Sequence, residues 1–592
     1  MIAILALAAF LGVPQAGAQD FSFRVAGEDK ALTRALEGAS AIAAARAGGE
    51  ADAQDLFAAA RAEYGRILGA LYARGHYSAV ISVRLDGREA ADIAPLDAPT
   101  RIAAIVVTVD PGPVFAFDRT RVAPQAPGTT LPEGFAPGRT AESGVIGQAA
   151  QAGIDRWRSQ GHARADVAAQ DIVADHRART LSADIRLAPG PRLRFGPLEV
   201  TGQDRMRLSR ILAIAGYREG EQFSPERLEV VAERLRRTGV FRSVSLTEGD
   251  SILPPDLQPI TLTLAEEKPR RYTFGAELSS LDGVTVSGAW LHRNLFGGAE
   301  RFRIAGEVAQ IGAQSSGVDY RLGITLDRPA DIRADTTAGL SFDLAHLDEQ
   351  DYRADTLGIG LLLTNYASRR LTWTVGIRYD ASDVTDITGR YSYRNLSLPL
   401  GGEWEGRDNP LDARQGLYGK AELRPFVGFD GAGSGLRATL DARGYRSVGA
   451  SDRVTFAGRV QAGVVSGPTL LRTPREFLFY SGGGGTVRGQ PYQSLGVSIL
   501  RNDFRIGGQA FVAASAEARV RVTDTIGVVG FYDWGHVGAV DFFDGSGNSH
   551  AGAGLGLRYD TGIGPIRFDV AAPVSGNTGK GVQIYIGIGQ SF

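Results

Sequence analysis

The 592-residue chain has no cysteine, only two methionines and a formal net charge of −2. Without cysteine there can be no disulfide framework, thiolate zinc site, iron–sulfur cluster or cysteine nucleophile. Its absence also suits a chain that passes through an oxidising compartment. The near-neutral charge argues against a nucleic-acid binder, which carries a basic face. Beyond the N-terminus no apolar run reaches the roughly 18 residues of a transmembrane helix. A membrane-resident form must therefore be a closed barrel. Hydrophobic residues still make up 43% of the chain, which excludes a disordered tail, and the length predicts several domains. Glycine is the residue in excess: 77 of them, about twice the usual ~7%, without a collagen period.

Enzyme signals are also missing. The seven histidines form no HExxH motif and no close pair. Gly576-Asn577-Thr578-Gly579-Lys580-Gly581 suggests a phosphate loop, but the spacing is wrong and Gly581 replaces the required Ser or Thr. Asp544-Gly545-Ser546-Gly547-Asn548 lacks the closing Glu of a calcium loop. The expectation is a protein that is not an enzyme, with no metal or cofactor. The apolar run Ile2–Val13 precedes Ala16-Gly17-Ala18, so residues 1–18 read as a secretory signal peptide and imply export.

Between residues 22 and 270 the chain repeats about every 80 residues. Arg74-Gly75-His76-Tyr77, Gln160-Gly161-His162 and Thr238-Gly239-Val240 each follow a helical pattern and open a strand. The third copy is the clearest: Ser224 caps, Pro225 opens the helix, and Leu228, Val231 and Leu235 share one face. Pro111-Gly112-Pro113, Pro189-Gly190-Pro191 and Glu266-Glu267-Lys268-Pro269 punctuate the ends of the copies. Each unit reads as strand, helix, helix, strand, strand.

From Tyr272 the helical period gives way to alternation. Ile566, Phe568 and Val570 alternate with Arg567 and Asp569, and Val512, Ala514, Ala516 and Ala518 with Ala513, Ser515, Glu517 and Arg519. Segments of about 9–11 residues with one apolar and one charged face have the length of membrane-crossing strands. Sixteen segments are predicted. They start near residues 272, 285, 301, 318, 337, 357, 371, 391, 417, 436, 454, 511, 525, 551, 566 and 582. An even number closes an antiparallel barrel.

The segment between the eleventh and twelfth strands contains Gly482-Gly483-Gly484-Gly485-Thr486-Val487-Arg488-Gly489-Gln490-Pro491-Tyr492. Elsewhere stand Asn294-Leu295-Phe296-Gly297, Phe531-Tyr532-Asp533-Trp534-Gly535, Gly564-Pro565-Ile566-Arg567-Phe568 and the terminal Gly589-Gln590-Ser591-Phe592. On these motifs the chain resembles the outer-membrane assembly superfamily of BamA and TamA. Three small domains ahead of a barrel look like the TamA branch; a two-partner-secretion export pore and a BamA-type paralogue are the alternatives. The resemblance implies βααββ POTRA domains at 20–112, 113–190 and 191–268, followed by a sixteen-stranded antiparallel transmembrane barrel at 271–592.

By the same resemblance, the motif loop (Val487, Arg488, Gly489 and Tyr492) folds into the lumen, where Arg488 binds Glu517 and Asp533. Gln490 departs from the motif, which usually has Tyr or Phe there, so the family's aromatic packing is not implied at this position. The terminal strand is rich in glycine, so a weak lateral seam is expected, with Tyr272 and Phe274 on one side and Gly581, Gly587, Gly589 and Phe592 on the other. The function implied is assembly and secretion of autotransporters and other outer-membrane proteins. The POTRA domains would lie in the periplasm. The implied partners are a TamB-like protein anchored in the inner membrane, unfolded substrates and membrane lipids, with no nucleic acid.

Overall fold

A computed structural model describes residues 20–48, 51–279, 283–313, 316–449, 452–499, 504–542, 545–562, 564–588, 590 and 592. The expected signal peptide and Gly589 lie outside the described residues. The chain forms two compact units. One comprises residues up to Pro197 with Glu219–Leu228 and Glu248–Ile260; the other comprises Leu198–Arg218, Glu229–Thr247 and Thr261–Phe592.

In the first unit, Asp20–Val25 pairs parallel to Ala104–Asp110, which pairs antiparallel with Val80–Leu85. Three helices cover this sheet, Lys30–Ala39, Ala41–Ala47 and Ala53–Tyr72, where the repeat pattern predicts two. Ser40 causes the split: its hydroxyl accepts from Ala43 N–H and so caps a second helix where the first stops. The fully buried Glu63 carboxylate accepts from Ala41 and Ile42 N–H at 2.6 and 3.1 Å, satisfying the same helix end. Leu36, Leu56, Ile67 and Leu71 pack on Val83, Ile105 and Val107 as one core.

The next domain also departs from expectation. Strand Ala116–Ala123 leads to a single helix, Ser143–Ser159, and then to strands Asp166–Asp175 and Thr180–Ala188. No helix forms in residues 124–142, where Pro124, Pro127, Pro132 and Pro137 remove amide donors and Gly128, Gly134 and Gly138 add backbone freedom. The third domain has the full set: Arg194–Thr201, two helices (Leu208–Ala215 and Pro225–Arg237), then Phe241–Glu248 and Leu257–Glu266, the last strand central in its sheet.

The second unit contains a closed barrel of sixteen antiparallel strands, from Arg270–Ser279 to Gln583–Ile588. Its eighth strand is two pieces, Gly389–Ser397 and Leu400–Glu405, both paired to the same neighbours on either side of Leu398-Pro399. Pro399 has no amide to donate to the ladder. The alternation read from the sequence is the alternation of the wall. Leu322, Leu340, Leu344, Ile359, Leu361 and Ile377 are exposed on the outside. On the inside, Arg378 bonds Asp343 and Asp380, both at 2.8 Å. A wall with an apolar exterior and a charged lining is that of a membrane-spanning barrel. No helix among the described residues is long and apolar enough to cross a membrane.

Candidate functional site

Residues 467–509 join the eleventh strand (Val454–Ser466) to the twelfth (Ala510–Arg521), and the described part, 467–499 and 504–509, folds back into the lumen. Phe477, Phe479, Leu495, Val497, Phe504 and Ile506 of this loop are buried with wall residues Phe426, Val465, Phe511 and Val537. Apolar side chains here stand on an otherwise charged lining and hold the loop by burial.

The structure brings Arg488, Glu517 and Asp533 together at the loop tip. Arg488 Nε and Nη2 donate to Asp533 Oδ2 and Oδ1 at 2.7 and 2.9 Å, a two-point fork, and Nη1 donates to Glu517 Oε1 at 2.7 Å. The Arg488 amide also donates to Asp533, at 3.1 Å. The guanidinium carbon lies 3.5 Å from the centroid of the Phe531 ring. A third carboxylate, Asp569, stands 3.5 Å from Nη1 and pairs with Arg558 at 2.5 Å, while Arg519 pairs with Glu517 at 2.8 Å. Three buried guanidiniums thus face three buried carboxylates, and the cluster is neutral. Inward parity made Asp569 and Arg558 eligible, but only the barrel register places them at the height of Arg488.

The rest of the motif spreads over the wall. Val487 is fully buried. Gly489 has a φ of +89°, and an added Cβ would meet the Ala572 carbonyl at 2.7 Å, so the position requires glycine. The Gly489 peptide is held from the last strand: its N–H donates to Tyr585 Oη at 3.2 Å and its carbonyl accepts from Gln583 Nε2 at 2.9 Å. Gln490, buried where an aromatic was in question, donates to Ala551 and Ser575 carbonyls at 2.8 and 3.0 Å and accepts from Thr578 at 2.9 Å. Tyr492 is not part of the Arg488 cluster; it is 38% exposed and accepts from Gln493 at 2.9 Å. Two further arginine anchors carried no sequence signal: Arg475 bonds Asp386 at 2.9 Å and Arg505 bonds Asp351 at 2.8 Å.

At the seam, the first and last strands pair, among the described residues, at two positions, Leu278 with Ile586 and Ser279 with Tyr585. The first strand pairs with the second at ten positions. Tyr272 and Phe274 stand 63% and 83% exposed. Two residues expected in the terminal strand lie elsewhere. Gly581 has a φ of +80° and precedes the strand, serving the preceding turn. Phe592 lies outside the strand Gln583–Ile588 and is buried with Tyr445. Gly587 is in the strand, paired with Arg567.

Turns at the other end of the lumen are clamped by the third domain. Arg234 Nε donates to Asp335 at 2.8 Å, and Arg237 reaches the same carboxylate at 3.3 Å. The Arg237 guanidinium sits 3.9 Å from the Tyr366 ring centroid. Arg369 pairs with Glu233 at 2.8 Å, and the Arg207 amide donates to the Gly297 carbonyl at 2.9 Å. Hydrogen bonding from Arg234 holds the Asp335 carboxyl below its ordinary range. At the opposite end of the strand Thr336–Asp348 from Asp335, burial and the nearby Asp319 push the Glu349 carboxyl up to about 7.

The profile of the Omp85 superfamily domain matches residues 294–592. The chain belongs to the Omp85 superfamily. Among solved structures, this Omp85 chain is similar to BamA from Haemophilus ducreyi lacking POTRA domains 1–3, with a TM-score of 0.61 and 16% identity over 80% of this chain and 100% of that one. It is also similar to CdiB from Acinetobacter baumannii, with a TM-score of 0.52 and 11% identity over 81% of this chain and 90% of that one. At these identities the likeness is one of fold: an outer-membrane β-barrel preceded by POTRA-like domains.

Proposed function

We propose that this Omp85 protein is a non-enzymatic outer-membrane insertase and translocase of the TamA type. It assists assembly and secretion of autotransporters and other outer-membrane proteins. The observation that carries the reading is the seam. A first strand that pairs with the last at two positions among the described residues, and not from Arg270 to Glu277, offers backbone N–H and C=O groups to an incoming strand, which can add by β-augmentation. The inward loop supports the same reading, because it braces the wall beside that seam through Arg488 and Gly489. Three domains ahead of the barrel favour the TamA branch and a TamB-like partner anchored in the inner membrane, with the domains in the periplasm.

Affinity purification of the full chain from solubilised membranes tests this. Co-purification of a large inner-membrane-anchored β-rich protein is the expected result. Recovery of a lipoprotein complex instead would replace the TamA reading with that of a BamA-type paralogue. Strong conductance in planar bilayers, with no bound membrane-protein substrate, would favour an export pore.

A further inference from the structure

Phe592 occupies a pocket in the lumen. Phe592 packs with Tyr445, Ala413 and Ala457, its ring centroid 6.5 Å from that of Tyr445. Arg519 Nη2 donates to the Phe592 carbonyl oxygen at 3.0 Å. The same guanidinium lies 5.5 Å from the Phe592 ring centroid and 5.6 Å from the Tyr445 ring centroid. Gln590 donates to Asp412 at 3.0 Å and accepts from Arg558 at 2.8 Å. Gln590 therefore contacts the fourteenth strand and Phe592 the tenth, at the end of the barrel that the third domain clamps. A cavity of about 50 Å³ adjoins Gln590, with a lining of both signs that includes Arg414, Arg519, Arg558, Asp412, Asp452 and Asp560.

Two properties make this more than a resting place for a tail. Arg519 is only 7% exposed and is oriented by Glu517, yet its Nη1 is buried and makes no hydrogen bond among the described residues. A buried donor without a partner carries a desolvation cost that a ligand oxygen would remove. A guanidinium and a tyrosine ring around one aromatic side chain also form a selective box, combining cation–π attraction with ring packing.

We infer that the Arg519–Tyr445 pocket is a docking site for an aromatic residue of an incoming unfolded polypeptide, and that Phe592 holds it as an intramolecular competitor. The incoming residue places its ring against Tyr445 and Arg519 and its backbone oxygen on the guanidinium, while a further ligand oxygen takes Nη1. That the incoming polypeptide is a membrane-protein substrate rests on the function proposed above; the pocket and its competitor do not. Phe592 lies away from the first strand while it fills this pocket, so the edge from Arg270 to Glu277 makes no pair with the last strand among the described residues.

The test uses the full chain folded in detergent and a fluorescein-labelled synthetic peptide with the sequence of residues 581–592. Phe592→Ala vacates the pocket and should tighten peptide binding about tenfold, the scale of one buried aromatic side chain. Adding Arg519→Met, or Tyr445→Ala, should remove that gain, as should replacing the peptide's final Phe with Ala. Tyr445→Ala leaves Glu517 untouched, and heat-modifiable gel migration shows which variants retain a folded barrel. Equal affinity of the native chain and Phe592→Ala for the peptide would overturn the inference. So would a gain that survives Tyr445→Ala. The binding assay requires no membrane insertion, so a chain that binds the peptide but assembles nothing refutes the function above and keeps the site.

Discussion

Arg488 is where the loop's contribution is concentrated, because its side chain contacts three buried carboxylates on three different strands. Removing one partner of such a set leaves uncompensated charge in a low-dielectric site, a loss of about 3–5 kcal/mol. Arg488→Met is therefore expected to lower the thermal midpoint at which the barrel loses its compact gel migration. Arg488→Lys should fall between the two, since an ammonium cannot reproduce the fork to Asp533. An unchanged midpoint in the Met variant would remove the loop lock from the account. Gly552 offers a test of the same contact through shape. A Cβ there would stand 1.9 Å from the Arg488 carbonyl, so Gly552→Ala should push the loop tip off the wall, at a cost of about 1–3 kcal/mol. Increased protease cleavage within residues 482–493 would report it. At this scale the sequence was informative about Arg488, Glu517 and Asp533 because a motif and a strand parity converged on them. Asp569, Gln583 and Tyr585 had only the parity, which gives the side of a wall and not the height along it.

Whole elements were legible to the extent that a period could be read. The sixteen strand starts follow from alternation, and the observed strands begin within a few residues of them. The second domain's missing helix was hidden because the repeat was read through its glycines, while the proline-rich stretch from 124 to 142 breaks it. The burial of Phe592 was hidden too, since Gln590 and Phe592 find partners on elements remote in sequence, such as Asp412 and Tyr445. The clamp on the turn at Asp335 gives a pH prediction. Its folded carboxyl titrates below the ordinary ~3.9, so the stabilisation is fully present above that value and is lost as pH falls through the lowered one. Amide exchange in residues 330–335 should stay protected at neutral and mildly acidic pH and rise only below about pH 4. Asp335→Asn should exchange faster across the whole range. Protection that disappears near pH 6 would mean another group controls the clamp.

For the whole molecule, the third domain grips the turns at Gly297, Asp335 and Arg369 on one arc, and the inward loop braces the twelfth to sixteenth strands on another. The seam between the first and last strands lies between these braced arcs, which is where a barrel stiffened elsewhere would part. Lateral opening at this seam is the central claim. It is tested most directly with cysteines at Leu278 and Ile586, a paired position in a chain that has no other cysteine. The double variant is reconstituted in liposomes and scored for insertion of an autotransporter barrel under oxidising and reducing conditions. The account predicts that insertion stops when the disulfide forms and returns when reductant is added. Undiminished insertion by the fully crosslinked protein would contradict it.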